Sequence, residues 1–139
     1  MNSPTLSLVV LRFADLDLAG RFYAALGLRL TKEKHGSGPD HYSCQLGSVV
    51  LELYPAGKLA AVPGTAMFGL NVSSMELTIR AVEGNGGSVV QPPISSERGI
   101  RSVVSDPGGH KLELVEPNNS LNTAPLRGAR TGRLRRPAG

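Results

Sequence analysis

The sequence has few of the residues that build disulfide-rich, aromatic or membrane-spanning folds. Its 139 residues include one cysteine, no tryptophan, three phenylalanines and three tyrosines. A lone cysteine, Cys44, cannot form a disulfide within the chain, so nothing indicates an oxidising compartment. No apolar run approaches the roughly 20 residues that a membrane helix needs, and the first residues lack a signal-peptide pattern. We therefore expect a cytoplasmic protein without a membrane segment.

The positive charge of the chain comes from its last residues. The formal net charge is +4, yet five arginines lie in the last thirteen residues, and the residues before Asn118 carry 10 Lys and Arg against all 11 Asp and Glu. The segment 118–139 has no hydrophobic period and no interleaved aromatic residues. We expect a disordered basic tail there, and neither a nucleic acid nor a membrane as partner.

Hydrophobic periodicity and capping residues predict a strand, a helix and three strands in the first half. Residues 6–13 predict a strand, and Asp15 is a good N-cap for an amphipathic helix that ends at Gly27. Three further strands are predicted at 28–32, 41–46 and 49–54.

The second half repeats this order. A strand over 66–72 is followed by a cap at Ser74 and a helix over 75–83. The strand that starts at Ser88 is expected to break at Pro92-Pro93. Two more strands follow, at 99–105 and 111–115.

The two halves are an internal repeat. The following pairs lie 59 to 61 residues apart: Leu8 and Met67, Asp15 and Ser74, Gly27 and Gly86, Glu52 and Glu113. One helix cannot cover both faces of its sheet, so the halves should share one core. The sequence predicts a single α+β domain over 1–117, made of two tandem βαβββ modules at about 6–55 and 66–117.

Three stretches carry a resemblance to a known family: Val9–Asp15, Arg21–Gly27 and Asp106–Pro117. In this order they resemble the glyoxalase/bleomycin-resistance/dioxygenase (vicinal oxygen chelate) superfamily. The resemblance implies a cup-shaped mixed sheet, a small-molecule ligand held in the cup, and a homodimer.

The resemblance also implies two metal ligands per module, a histidine early in the first strand and a glutamate in the last. Glu52 and Glu113 match the glutamates, whereas Leu8 and Met67 stand where the histidines would be. Two carboxylates alone are a poor site for transition metals, so we expect no metal cofactor. A divalent metal ion remains the alternative, bound by Glu52 and Glu113 with His41 or water.

The pleat of the strands indicates which side chains line the cup, because alternate residues face opposite ways. Val9, Leu11 and Phe13 fit packing under the helix. The opposite face should carry the candidate ligand-binding residues Leu8, Val10, Arg12, Met67 and Asn71, together with Glu52 and Glu113.

Several of these residues have two interpretations. Arg12 either grips an acidic ligand or neutralises Glu52 or Glu113. The two glutamates act either as catalytic acid or base, with a pKa raised by the half-apolar cup, or as structural hydrogen-bonding groups. The remaining candidates are expected to have no functional role: Cys44 is interpreted as an inert buried thiol, and His35 and His110 as solvated histidines.

The preferred function is metal-independent binding of a small organic molecule in the cup. Its polar contacts would come from Arg12, Asn71, Glu52 and Glu113. Its apolar walls would come from Leu8, Val10 and Met67. The alternative is a metal-dependent lyase, isomerase or dioxygenase that uses Glu52 and Glu113. A regulatory module acting through the basic tail is a third class.

Overall fold

The computed structural model describes residues 5–57 and 66–118. The predicted basic tail and most of the segment between the modules lie outside the described residues. The first module contains β1 (Leu8–Phe13), α1 (Leu16–Ala25), β2 (Thr31–Glu33), β3 (His41–Leu46) and β4 (Val49–Pro55). The second contains β5 (Met67–Asn71), α2 (Met75–Gly84), β6 (Ser88–Ser96), β7 (Gly99–Ser105) and β8 (Lys111–Pro117). Neither of these helices is long and apolar enough to cross a membrane.

Each module forms a four-stranded mixed sheet of the same topology. The strand orders are β1-β4-β3-β2 and β5-β8-β7-β6. The first strand of each module runs parallel to the last, and the other pairings are antiparallel. The α+β class and the tandem βαβββ order predicted from the sequence are confirmed.

The helices begin at the predicted capping residues. The Asp15 carboxylate accepts a hydrogen bond from the backbone N–H of Leu18 at 3.0 Å, and the Ser74 hydroxyl accepts one from Leu77 at 3.2 Å. Each cap satisfies one of the N–H groups that a helix start leaves without a backbone partner. Gly27 ends the first helix with φ of 103°, a left-handed conformation that favours glycine.

One hydrophobic core is shared by the two modules. Leu51 and Leu53 of β4 and Leu112 and Leu114 of β8 are fully buried in it, next to side chains from both helices. The remaining buried members are Leu11, Phe13, Ala19, Phe22, Tyr23, Met75, Val82 and Val104. The shared interior expected from the repeat is therefore present, on the helix-covered side of both sheets.

The break predicted at Pro92-Pro93 is wrong. β6 runs without interruption from Ser88 to Ser96 and shifts register between Val89 and Gln91 and again between Gln91 and Ile94. Proline lacks an N–H, but an edge strand needs hydrogen bonds on one side only and bulges absorb the irregularity. Because β6 is the edge of its sheet, it tolerates both prolines.

A buried carboxylate joins the modules. The Tyr23 hydroxyl on α1 donates a 2.6 Å hydrogen bond to Asp106 Oδ2, in the turn between β7 and β8. Asp106 Oδ1 also accepts from the backbone N–H groups of Gly108 and His110 at 2.9 Å. Burial, followed by the nearby charge of Asp106, raises the pKa of Tyr23 far above its usual value, so the phenol keeps its proton.

His110 is part of the same cluster, and the expectation of a solvated histidine is wrong. Its Nδ1 lies 3.0 Å from both oxygens of Asp106. Its ring meets Phe13 edge-on, with 4.9 Å between the ring centroids. The imidazole thus packs a module 2 turn against the first strand of module 1.

The substitution Tyr23→Phe tests the hydrogen bond between the modules. It leaves a buried carboxylate with one donor fewer, so we expect the free energy of unfolding to fall by about 2 kcal/mol. Urea denaturation measures this value. Tyr42→Phe is the matched control, because the Tyr42 hydroxyl donates to Asp17 at the exposed surface and should cost less than about 0.5 kcal/mol. Equal losses in the two variants would contradict the assignment.

The substitution Gly87→Ala tests the packing between α1 and the second module. A Cβ at Gly87 would lie 2.5 Å from the Phe22 ring and 2.7 Å from the Ser105 carbonyl oxygen. We expect a loss of about 2 kcal/mol in thermal or urea unfolding. Gly84→Ala is the control, since nothing lies within 4 Å of its added methyl and the helix should gain about 0.5 kcal/mol.

Candidate functional site

The face of each sheet that points away from the shared core carries the candidate site residues. We call these the first face, in module 1, and the second face, in module 2. Leu8, Val10 and Met67 on these faces are 49%, 39% and 50% exposed. Arg12 and Asn71 are also exposed there. All five side chains therefore lie on the exposed side of their sheets, opposite the core, as the pleat predicts.

On the second face, Glu113 is held by two arginines. Arg98 donates to both carboxylate oxygens at 3.1 and 3.0 Å, and Arg101 Nε donates to Oε2 at 2.6 Å. The hydrogen bonds from Arg98 and then Arg101 lower the pKa of Glu113 from 4.5 to about 2. The raised pKa considered from the sequence is wrong for Glu113, which is a weak base at neutral pH.

Arg12 does not neutralise either glutamate. Its guanidinium lies over the Tyr54 ring, 5.3 Å from the centroid, and donates a long hydrogen bond of 3.5 Å to the Pro55 carbonyl. Neither Glu52 nor Glu113 pairs with it among the described residues, so this part of the sequence argument is wrong. The aromatic face of Tyr54 supports the cation by a cation–π contact and leaves donor positions for a ligand.

The sequence reasoning missed Arg98 and Arg101. In β7, Ser102 and Val104 are fully buried, so the pleat places Arg101 on the opposite face, which Glu113 shares. The alternation was therefore a usable signal for Arg101. Arg98 lies in the turn before β7, where no period applies, and only the folded turn brings it to the carboxylate.

On the first face, Glu52 has a histidine neighbour instead of arginines. His41 Nε2 lies 3.9 Å from Glu52 Oε2 and 3.5 Å from Glu33 Oε1. The imidazole is 1% exposed and stacks on the Tyr54 ring at 4.3 Å. His41 is thus a buried group beneath the face. The exposed His35 lies beside it, with 5.2 Å between the two rings.

Asn71 stands at the edge of a cleft between the modules. The cleft has a volume of ≈ 370 Å³ and extends from the end of α1 past Gln45 on β3 to Asn71 on β5. The Asn71 amide makes no side-chain hydrogen bond within 5–57 and 66–118, so its donors and acceptor face open space. Cys44 also borders the cleft and, as expected, is a buried free thiol.

The four positions that the resemblance assigns to a metal do not fit a transition ion. Leu8 has no donor atom, and the thioether of Met67 suits soft metals only. Glu113 already directs both oxygens to arginines. Of the four, Glu52 alone keeps a carboxylate that is free of Lys and Arg partners within the described part of the chain.

Comparisons with known proteins give a family and a common fold. A model of the Glyoxalase/Bleomycin resistance protein/Dioxygenase superfamily matches residues 5–114. The chain is 29% identical over 120 residues to a probable lactoylglutathione lyase, chloroplastic, of Arabidopsis thaliana, which covers 78% of this chain and 34% of that protein. The chain therefore spans about a third of the length of this relative.

Solved structures share the architecture. A glyoxalase/bleomycin resistance protein from Albidiferax ferrireducens T118 superposes with a TM-score of 0.67 at 21% identity, covering 81% of this chain and 98% of that one. TnmS3, an antibiotic binding protein from Streptomyces sp. CB03234, gives 0.64 at 20% identity, with 85% and 99% covered. These likenesses show the fold.

The pH titration of Glu113 tests its double arginine contact. Because its folded-state pKa is lowered to about 2, its contribution to stability is present above pH 4.5 and is lost as the pH falls through about 2. We expect Arg101→Met to raise the pKa of Glu113, as measured by NMR of the side-chain carboxyl carbon. Arg12→Met should leave that pKa unchanged. A rise in Arg12→Met would show that Arg12 reaches the carboxylate after all.

Proposed function

The chain belongs to the Glyoxalase/Bleomycin resistance protein/Dioxygenase superfamily, and we propose that it binds a small organic molecule in the cup between its modules. Binding would use no transition metal at the family's four ligand positions. The protein would break no bond in this molecule. If the molecule is toxic, protection of the cell would depend on the binding affinity and on the concentration of the protein. We also propose that the chain acts in the cytoplasm as a homodimer.

The observation that carries this proposal is the exposure of large apolar side chains beside fixed charges. Leu8, Val10 and Met67 are between 39% and 50% exposed although they lie in ordered strands, β1 and β5. Leu8 and Val10 are neighbours on one side of β1, and grouped apolar side chains favour a ligand or a partner surface that removes them from water. An organic ring system or acyl chain has the chemistry to cover them.

Polar groups at both faces indicate what else such a ligand would carry. Arg12 keeps donor positions beyond its long bond to the Pro55 carbonyl. On the second face, Arg98 and Arg101 outnumber Glu113, and Lys111 lies on the same face opposite Met67. An anionic or oxygen-rich group on the ligand would complement this positive excess. Asn71 can accept or donate to a neighbouring group.

A solved structure of the same fold supports a binding function. TnmS3 is described as an antibiotic binding protein. At 20% identity this likeness carries the fold, so the ligand class comes from the side chains of this chain. Those side chains favour an amphipathic molecule with an apolar body and an acidic end.

The metal-dependent alternative has less support. A lyase, isomerase or dioxygenase using Glu52 and Glu113 would need both carboxylates as metal ligands. The two arginines on Glu113 would have to leave before its oxygens could bind an ion. No catalytic step is therefore assigned to either glutamate.

Binding of the dye 1-anilinonaphthalene-8-sulfonate tests the proposal, because the dye combines apolar rings with a sulfonate. We expect a fluorescence titration to show saturable binding. Met67→Asp and Val10→Asp should each raise the dissociation constant about tenfold, since each places a charge in the apolar surface.

Leu77→Asp provides the matched control. Leu77 is 62% exposed on α2, outside both faces, so this variant should bind the dye with unchanged affinity. If all three variants lose affinity equally, or if none does, the faces are not the binding site. Circular dichroism of each variant checks that the fold is retained.

A further inference from the structure

The hairpin of β2 and β3 gathers metal-ligating side chains away from the family's ligand positions. Glu33 ends β2, His35 follows in the loop, and His41 begins β3. We propose that Glu33, His35 and His41 bind a divalent transition metal ion, with Zn²⁺ as the representative ion. In the second module Pro93, Ser95 and Arg101 stand at the equivalent positions, so the site belongs to the first module alone.

The distances within the cluster suit one small ion. Glu33 Oε1 lies 3.5 Å from His35 Nε2 and 3.5 Å from His41 Nε2. One ligand atom from each of the three residues falls within 4.8 Å of the others. Tetrahedral zinc with bonds of about 2.0–2.1 Å separates neighbouring ligands by about 3.3 Å. His35 is exposed, so its side chain has room to adjust toward the other two ligands.

The state of His41 is the second observation that points to an ion. Its ring is 1% exposed, and Nδ1 lies 3.3 Å from the Pro39 carbonyl oxygen. That contact requires a proton on Nδ1, which leaves Nε2 with a lone pair in the neutral ring. Nε2 is buried and has no hydrogen-bond partner among the described residues. A histidine held by its other nitrogen in this way is typical of a metal ligand.

Two carboxylates converge on this unpartnered nitrogen. Glu33 and Glu52 present oxygens at 3.5 and 3.9 Å, which is too long for good hydrogen bonds from an imidazolium. A lone pair facing two carboxylates is repelled unless a cation lies between them. A metal ion bridges separations of this size with short bonds to each ligand.

The repeat provides an internal comparison. Arg101 lies 60 residues after His41, and Glu113 lies 61 residues after Glu52. In module 2 the arginine neutralises the glutamate directly, at 2.6 Å. In module 1, within the described residues, neither Glu33 nor Glu52 pairs with a lysine or arginine. Among the described residues, the glutamates of the first module thus have no paired arginine, whereas Glu113 in the second has two.

The donor set selects the kind of ion. Two imidazoles and a carboxylate suit Zn²⁺, Co²⁺ or Ni²⁺ better than Mg²⁺ or Ca²⁺, which prefer oxygen ligands alone. Three protein ligands leave a fourth position for water or for Glu52. The site uses neither Leu8, Met67 nor Glu113, so it does not depend on the proposed function.

Titration of the untagged full chain with Zn²⁺ by calorimetry, and with Co²⁺ by visible absorption, tests the site. We expect one ion per chain and the absorption of a tetrahedral or five-coordinate Co²⁺. His35→Gln and Glu33→Gln should each weaken Zn²⁺ binding about tenfold or more, and neither residue is fully buried. His41→Gln should abolish binding, but the two other variants keep the test valid if it fails to fold.

Two control variants locate the ion. Asp40→Asn removes an exposed carboxylate from the same hairpin and should leave the Zn²⁺ affinity unchanged. Glu113→Gln should also leave it unchanged. The proposal is overturned if no stoichiometric ion binds, if His35→Gln and Glu33→Gln bind normally, or if Glu113→Gln alone abolishes binding. Dye binding is measured on the same variants. It distinguishes the Zn²⁺ site from the proposed binding of an organic molecule, because a failure of one leaves the other testable.

Discussion

The carboxylate of Asp106 fixes the contact between the two modules on which the second face depends. It accepts one hydrogen bond from the Tyr23 hydroxyl of module 1 and two from backbone N–H groups of its own turn. A buried charge is tolerated only when its oxygens are satisfied, and here the donors come from both modules. The turn is thereby fixed against α1, and with it the start of β8, two residues before Glu113. The orientation of the second face follows from this contact.

The two modules have kept a common backbone and have diverged in how they balance a buried or half-buried carboxylate. Glu113 accepts hydrogen bonds from two arginines, whereas Glu52 has the His41 imidazole as its neighbour. Fixed guanidiniums hold a surface in one charge state across the pH range. The duplication has therefore produced two sheet faces whose carboxylates have different neighbours.

Much of the fold could be predicted from the sequence, because its signals are local. Periodicity, the caps at Asp15 and Ser74, and the repeat gave the element order, and the pleat placed Leu8, Val10 and Met67 on exposed faces. The side-chain partners could not be predicted in the same way. They depend on turns and on strand register: Arg98 reaches Glu113 from a turn, and Glu33 lies opposite His41 in the pairing of β2 with β3. Arg12 lies on the predicted face of the sheet, but its guanidinium contacts the Tyr54 ring and not a glutamate.

The uneven charge of the two faces constrains how any amphipathic ligand would lie. Its acidic end gains most near Arg98, Arg101 and Lys111, because the second face carries three cations against Glu113. On the first face the same group would approach Glu52 without an adjacent arginine, at an electrostatic cost. Met67 lies on the same face as these cations and is 50% exposed, so the apolar body would lie against it. A cation on the hairpin would weaken this preference, since it offsets Glu33 and Glu52 together.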